Sequence, residues 1–173
     1  MGYGWSAPVL KPKIFVSYHH GGDRAYYDAF TRKFCHTYDV VQDSSVDRII
    51  DSDNPDYVIR HIREEFITGT SCTVVLCGAV TPSRKFVDWE IKATLDKEHG
   101  LVGVNLPTNL PNPDGTLPVP DRFLDNYRSG YALWTSWSEI VGDVARFARL
   151  VHEARAREKW KINNSRELRS RNG

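Results

Sequence analysis

The segment Cys72–Cys77 restricts the possible folds more than any other part of the chain. Its sequence, Cys-Thr-Val-Val-Leu-Cys, is almost wholly apolar and rich in β-branched residues, and Gly78 ends the run. A strand without alternation of polar and apolar residues is typical of burial on both faces, as in the centre of a parallel sheet. Parallel strands are joined by long crossovers, usually helices. The segment therefore predicts an α/β fold.

The rest of the chain alternates between short apolar runs and segments with helical spacing of apolar residues. The runs that predict strands are Ile14–Val16, Val40–Gln42, Cys72–Cys77, Leu101–Val104 and Tyr131–Trp134. Helices are predicted after Asp23 and Ser83, which can act as caps, from Pro55 onward, and over Trp137–Trp160. Five alternations with long connections predict a doubly wound parallel sheet covered by helices on both faces.

The length of 173 residues fits one domain. Residues 1–12 are rich in Gly and Pro and predict a flexible leader, residues 13–160 form the folded domain, and residues 161–173 form a basic tail. No apolar periodicity continues into the tail, so we expect residues 162–173 to be dispensable for folding. The proline-rich segment 105–130 predicts a long loop whose role the sequence leaves open.

Composition excludes several classes of function. The net charge of +1 argues against a nucleic-acid-binding protein, and the apolar runs fall short of the roughly 18 residues that a membrane helix needs. The three cysteines lack metal-ligand spacing, and the adjacent pair His19–His20 does not make a chelating site, so no metal is expected. The cysteine pattern favours a reducing cytoplasm.

Polar residues follow the predicted strands at the edge where parallel α/β sheets bind ligands. Ser17-Tyr18-His19 comes after the first strand and Asp43-Ser44-Ser45 after the second. Glu90 lies near the start of the helix that follows the third strand, where the helix dipole favours an ionised carboxylate. Position alone favours a surface ion pair between Glu90 and Lys85 or Lys92.

Four blocks of sequence, in order and with matching spacing, resemble the TIR-like proteins of prokaryotes. Within that family they are most similar to the ThsB subunit of the Thoeris antiphage defence system. The blocks are Lys13–His19, Gln42–Ser45, Thr70–Gly78 and Phe86–Ile91, and the resemblance covers roughly residues 13 to 135. It implies a flavodoxin-like, three-layer fold with the strand order 2-1-3-4-5 and a role in defence within the cytoplasm.

The resemblance also implies roles for individual residues. Catalytic TIR domains carry an aromatic residue, a small residue, two variable positions and then the catalytic Glu, which places Glu90 in that role. Phe86 stands where Trp is common and Val87 where Cys is common. The nucleotide-binding positions correspond to Ser17, Tyr18, His19 and Phe86 and, less sharply, to Asp43 and Ser45. Residues 44–54 correspond to the loop through which TIR domains associate.

The implied activity is cleavage of the nicotinamide–ribose bond of NAD, which is a substrate here, with no separate cofactor. Nicotinamide leaves as a neutral group, so one carboxylate suffices to stabilise the developing positive charge. The product would be an ADP-ribose-derived, cyclised signal that activates a separate effector after a phage-derived trigger. Two alternatives stay open: a non-catalytic TIR-like interaction module, and an enzyme similar to nucleoside deoxyribosyltransferases.

We predict that charge reversals within Asp47–Asp53 impair assembly more than folding, because this polar stretch offers no apolar stripe to bury. Oligomer mass by light scattering and the melting temperature separate the two effects. Variants with unchanged oligomer mass and unchanged activity would contradict the prediction.

Overall fold

The computed structural model describes residues 10–42 and 54–173. Within these ranges, five strands form one sheet in the order β2-β1-β3-β4-β5, and each pair of neighbours is parallel. The prediction of a flavodoxin-like α/β fold with strand order 2-1-3-4-5 is therefore confirmed. The strands are β1 (Lys13–Ser17), β2 (Asp39–Gln42), β3 (Cys72–Cys77), β4 (Gly100–Asn105) and β5 (Leu133–Ser136).

Helices connect the parallel strands, with two departures from the pattern that the sequence predicts. The helices are α1 (His20–Phe34), α2 (Pro55–His61, continued by a π-helical turn over Ile62–Ile67), α3 (Lys85–Asp96), α4 (Asp121–Arg128), α5 (Trp137–Gly142) and α6 (Val144–Ala156). The proline-rich segment 105–130 contains α4, and the closing helix is divided at Asp143. Asp143 leaves the helical conformation and its carboxylate accepts a hydrogen bond from Arg146 N at 2.9 Å, which starts α6.

Both faces of the sheet are covered, and alternate residues of each central strand belong to different apolar clusters. Val74 and Leu76 of β3 pack with α1, α5 and α6, whereas Val75 and Cys77 pack with α3 and α4. Phe15 of β1 packs with α2 and α3. All six residues of β3 are buried, as its apolar sequence predicts.

The sheet order places the carboxyl ends of β1 and β3 side by side. Ser17 is in register with Val75, and Phe15 is in register with Thr73. The connections after β1 and β3 lead to α1 and α3, which cover opposite faces of the sheet. Open parallel sheets bind ligands at this edge, between neighbouring strands whose connections lead to opposite faces.

The C-terminal segment does not extend away from the domain. Ile162 packs against the cluster that includes Val87 and Phe123, and Leu168 packs against the cluster that includes Trp89. The expectation of a dispensable tail rested on missing apolar periodicity, but these two isolated apolar contacts and many polar ones attach the segment. Among the residues that the structure describes, no helix has the length and apolar character needed to cross a bilayer.

Candidate functional site

Glu90 and Ser17 lie on the same face of the sheet, at the same level along the strands. The hydroxyls of Thr94 and Thr73 are hydrogen-bonded at 2.7 Å, which sets the register of α3 on β3. Glu90 is one helical turn before Thr94, and Val75 is two residues beyond Thr73 on the same side of β3. Ser17 is in register with Val75. The helix therefore places Glu90 above the carboxyl ends of β1 and β3.

Glu90 is buried, with 2% of its surface exposed. This burial disfavours the alternative of a solvated surface pair with a lysine. The ammonium of Lys92 instead pairs with Asp96 at 3.1 Å, and that of Lys85 lies over the Phe86 ring, 5.2 Å from its centroid. A carboxylate removed from water near the start of a helix interacts strongly with any positive charge that develops beside it.

Ser17 supplies an unsatisfied hydroxyl at the same place. Its side chain is fully buried, and within the described part of the chain its Oγ finds no hydrogen-bond partner. Most buried polar groups are hydrogen-bonded, and exceptions in native structures commonly mark sites that bind a ligand or water. Ser17 Oγ is thus a group that a polar ligand beside Glu90 could satisfy.

Phe86 forms part of an apolar wall at the start of α3. It lies one turn before Glu90 and meets Trp89 edge to face, with ring centroids 5.3 Å apart. Both rings belong to the cluster that also contains Phe15. These rings present apolar surface at the start of α3, one turn from Glu90.

Tyr18 and His19 occupy different surroundings from Ser17. Tyr18 packs in the cluster on the α1 face, where its ring stacks on Tyr27 at 4.5 Å and on His20 at 4.3 Å. His19 Nε2 lies 3.4 Å from Arg84 Nη2, so the residues that precede α1 and α3 are in contact. The structure thus brings His19 toward the start of α3 and leaves Tyr18 on the other face. Nucleotide binding by either residue stays a prediction.

Two of the predicted site residues, Asp43 and Ser45, lie outside the described residues, as do positions 44–53 of the expected association loop. Their roles stay predictions.

Asp23 is a buried carboxylate that the sequence suggested only as a helix cap. It lies in the first turn of α1, which is preceded by His19 as the capping position, and is 2% exposed. Its carboxylate accepts hydrogen bonds from Thr81 at 3.3 Å and Thr108 at 3.2 Å. Asp23 thereby joins α1 to the segments that follow β3 and β4. Its partners lie 58 and 85 residues away, so no local pattern could have revealed them.

Burial raises the pKa of Asp23, and the hydrogen bonds from Thr108 and Thr81 oppose that shift. Gly78 is required beside this carboxylate, because a Cβ at position 78 would overlap both carboxylate oxygens. A glycine directly after a buried strand was the one sequence signal of a close approach at this point.

Two of the three cysteines, Cys72 and Cys77, are not candidate nucleophiles. Cys72 and Cys77 are fully buried, and burial raises the pKa of Cys72 to about 12 and that of Cys77 still further, so both thiols are neutral at physiological pH. Across residues 10–42 and 54–173, no group of three or more His, Cys, Asp or Glu side chains could hold a metal ion. The chemistry available in the described part of the site is that of a buried carboxylate, a hydroxyl and an aromatic wall.

The family model for the TIR-like domain of the Thoeris protein ThsB matches residues 15–110. The matched region runs from β1 past β4 and contains Ser17, Asp23 and Glu90. No curated protein matches the chain.

We predict that Gly78→Ala destabilises the fold by about 1–3 kcal/mol, the usual cost of forcing an extra methyl group into a packed interior. The methyl group would displace the Asp23 carboxylate from Thr81 and Thr108. Gly142→Ala is the control, since a Cβ there meets no other atom within 4 Å. Equal free energies of unfolding for the two variants in urea denaturation would contradict the prediction.

Asp23→Asn tests the raised pKa of this carboxylate. Because the folded-state pKa lies above the unfolded one, proton binding by Asp23 stabilises the folded protein at acid pH, and this contribution disappears as pH rises through the folded-state pKa. Between pH 4 and pH 7, the free energy of unfolding of the parent should therefore fall relative to that of Asp23→Asn. Asp28→Asn, on the same helix but partly exposed, is the control for loss of one carboxylate. A difference that stays constant with pH would refute the assignment.

Proposed function

Because the chain belongs to the family of TIR-like domains of the Thoeris protein ThsB, we propose that it cleaves the nicotinamide–ribose bond of NAD, with Glu90 as the catalytic carboxylate. Family membership supports a defence role of the Thoeris type. The observation that carries the catalytic part is the burial of Glu90 on the same face and at the same level as the unsatisfied hydroxyl of Ser17.

The chemistry needs few groups. In NAD the nicotinamide ring is cationic, and it departs as a neutral molecule when the glycosidic bond breaks, so no acid has to protonate it. The ribose that remains carries oxocarbenium-like positive charge in the transition state. The Glu90 carboxylate stabilises that charge and accepts hydrogen bonds from the ribose hydroxyls, while Ser17 Oγ bonds a neighbouring polar group of the substrate.

The fate of the ribose depends on which nucleophile reaches it. The aromatic wall of Phe86 and Trp89 limits access of water at the start of α3. A nucleophile from the same substrate molecule can then capture the ribose and give a cyclised ADP-ribose. This product would diffuse to a separate effector protein and activate it, and a phage-derived trigger together with self-association through residues 44–54 would turn the enzyme on.

We predict that Glu90→Gln lowers the release of nicotinamide from NAD by about 100-fold or more, because the variant keeps the shape of the side chain but loses its charge. Release is measured on protein assembled with its trigger, and mass spectrometry identifies the products. The control is Glu65→Gln, which removes a carboxylate from the exposed side of the π-helical turn. Retained release in Glu90→Gln would refute the catalytic role.

Other outcomes of the same assay decide between the alternatives. If the parent protein releases no nicotinamide with any trigger, the protein is a non-catalytic interaction module. Base release from deoxynucleosides, without any from NAD, would identify an enzyme similar to nucleoside deoxyribosyltransferases.

We predict that Ser17→Ala lowers nicotinamide release by roughly tenfold and changes the free energy of unfolding by less than about 0.5 kcal/mol, because the hydroxyl has no partner to lose in the described structure. Thr73→Val is the contrasting control, since its hydroxyl is bonded to Thr94 and its loss should cost about 1 kcal/mol or more. A Ser17→Ala protein as destabilised as Thr73→Val would show that the Ser17 hydroxyl is bonded within the protein.

A further inference from the structure

We propose that residues 163–173, which we call the C-terminal strap, hold the first two turns of α3 in place and so position Glu90, with Asp88 and Asn172 as the positioning residues. The positioning role rests on the proposed function, since it concerns the catalytic carboxylate of that reaction. The mechanical role, immobilising the start of α3, can be measured without any substrate.

Asp88 is the point at which the strap and α4 meet α3. It is 5% exposed, and its carboxylate accepts hydrogen bonds from Arg122 Nε at 2.8 Å, Arg122 Nη2 at 3.3 Å and the backbone N–H of Arg169 at 2.9 Å. One donor group comes from α4 and one from the strap. The carboxylate therefore fixes both elements against the first turn of α3.

Arg122 continues the connection into the strap. Its side chain is fully buried; Nη1 donates to Asn164 Oδ1 at 2.9 Å and Nη2 to the carbonyl of Glu167 at 3.1 Å. A buried guanidinium is tolerated only when its charge and its donors are both compensated. Here the compensation is divided between Asp88 and the strap, so loosening either one leaves a buried charge poorly satisfied.

The strap also caps α3. The first N–H groups of a helix have no partner inside the helix, and a side chain from the preceding residue usually supplies one. Arg84, which precedes α3, makes no such capping bond within the described structure. Asn172 Oδ1 instead accepts a hydrogen bond from Lys85 N at 2.9 Å. The cap of this helix thus comes from a residue 87 positions later in the chain.

Two further hydrogen bonds join the strap to the start of α3 and to the residues just before it. The indole N–H of Trp89 donates to the carbonyl of Arg169 at 3.0 Å, and the backbone N–H of Gly173 donates to the carbonyl of Ser83 at 3.1 Å. With Asp88 and Lys85, they give the strap contacts from the residues before the helix to its second turn. The strap therefore restrains the tilt of the start of α3 as well as its position.

This restraint acts directly on Glu90. Asp88 and Glu90 are two residues apart, so their side chains leave the helix in roughly opposite directions, one toward the strap and the other toward the sheet. Any shift of the first turns moves Glu90 by a similar distance. Displacements of about 1 Å at a reacting group can lower a rate by about 100-fold.

The test compares three variants of the full chain. Asn172→Ala removes the cap on Lys85, Asp88→Asn removes the counter-charge of Arg122, and Asn112→Ala is the matched control. Asn112 is an exposed asparagine like Asn172, and its side chain bonds Thr116 in the segment before α4, so its loss leaves the hydrogen bonds between the strap and α3 in place. Amide hydrogen exchange over residues 85–91, the melting temperature, and kcat and KM for nicotinamide release are measured for each.

For Asn172→Ala we expect exchange over residues 85–91 to accelerate about fivefold, the factor that corresponds to loss of a typical helix cap. We expect kcat to fall at least threefold with KM nearly unchanged, since the substrate groups that bind away from Glu90 keep their partners. Asp88→Asn should show larger changes in the same direction. Asn112→Ala should leave exchange in this segment and kcat at the parent values. Asn172 is exposed at the surface, so Asn172→Ala keeps the test available if Asp88→Asn does not fold.

Unchanged exchange over residues 85–91 in Asn172→Ala would overturn the mechanical role of the strap. Faster exchange with an unchanged kcat would overturn the positioning of Glu90. If the parent protein releases no nicotinamide at all, the proposed function fails, and hydrogen exchange alone then decides whether the strap holds α3.

Discussion

The burial of β3 on both faces determines where the other elements of the protein lie. Its alternate side chains belong to different apolar clusters, so helices must cover both sides of the sheet. On one side the hydroxyl of Thr73 interrupts the apolar surface and is satisfied by Thr94 of α3. This polar contact fixes the position of α3 along the sheet, and hence the level of Glu90 relative to Ser17.

Three carboxylates are buried in the described part of the chain, and each has a different environment. Asp23 receives hydroxyl groups from the segments after β3 and β4, which joins those segments to α1. Asp88 receives a guanidinium and a backbone N–H, which joins α3, α4 and the strap. The hydrogen bonds of Asp23 and Asp88 join separate elements of the fold, and this structural role explains why both carboxylates are buried. Glu90 lies above the carboxyl ends of β1 and β3, the position that the proposed catalytic role requires.

Local patterns were sufficient to predict the sheet, most of the helices around it and the helix on which Glu90 lies, whereas the resemblance supplied the expected role of Glu90. The periodicity of apolar residues indicates which face of a helix or strand is apolar, and the succession of strands and helices indicates the layers of the fold. The same patterns did not predict α4, because its segment is dominated by prolines and Pro120 precedes its first turn. They also could not predict the roles of Asp23 or the strap. Those roles depend on polar contacts between residues 34 to 87 positions apart, and such contacts follow no period in the sequence.

The late position of the strap in the chain has a consequence for biosynthesis. A ribosome delivers α3 well before residues 163–173, so on the nascent chain Lys85 has no Asn172 to cap it and Arg122 lacks its strap partners. Until residues 163–173 have emerged, the backbone N–H of Lys85 and the carboxylate of Asp88 lack the partners that the strap provides. The start of α3 therefore acquires these hydrogen bonds later in synthesis than the strands of the sheet on which it packs.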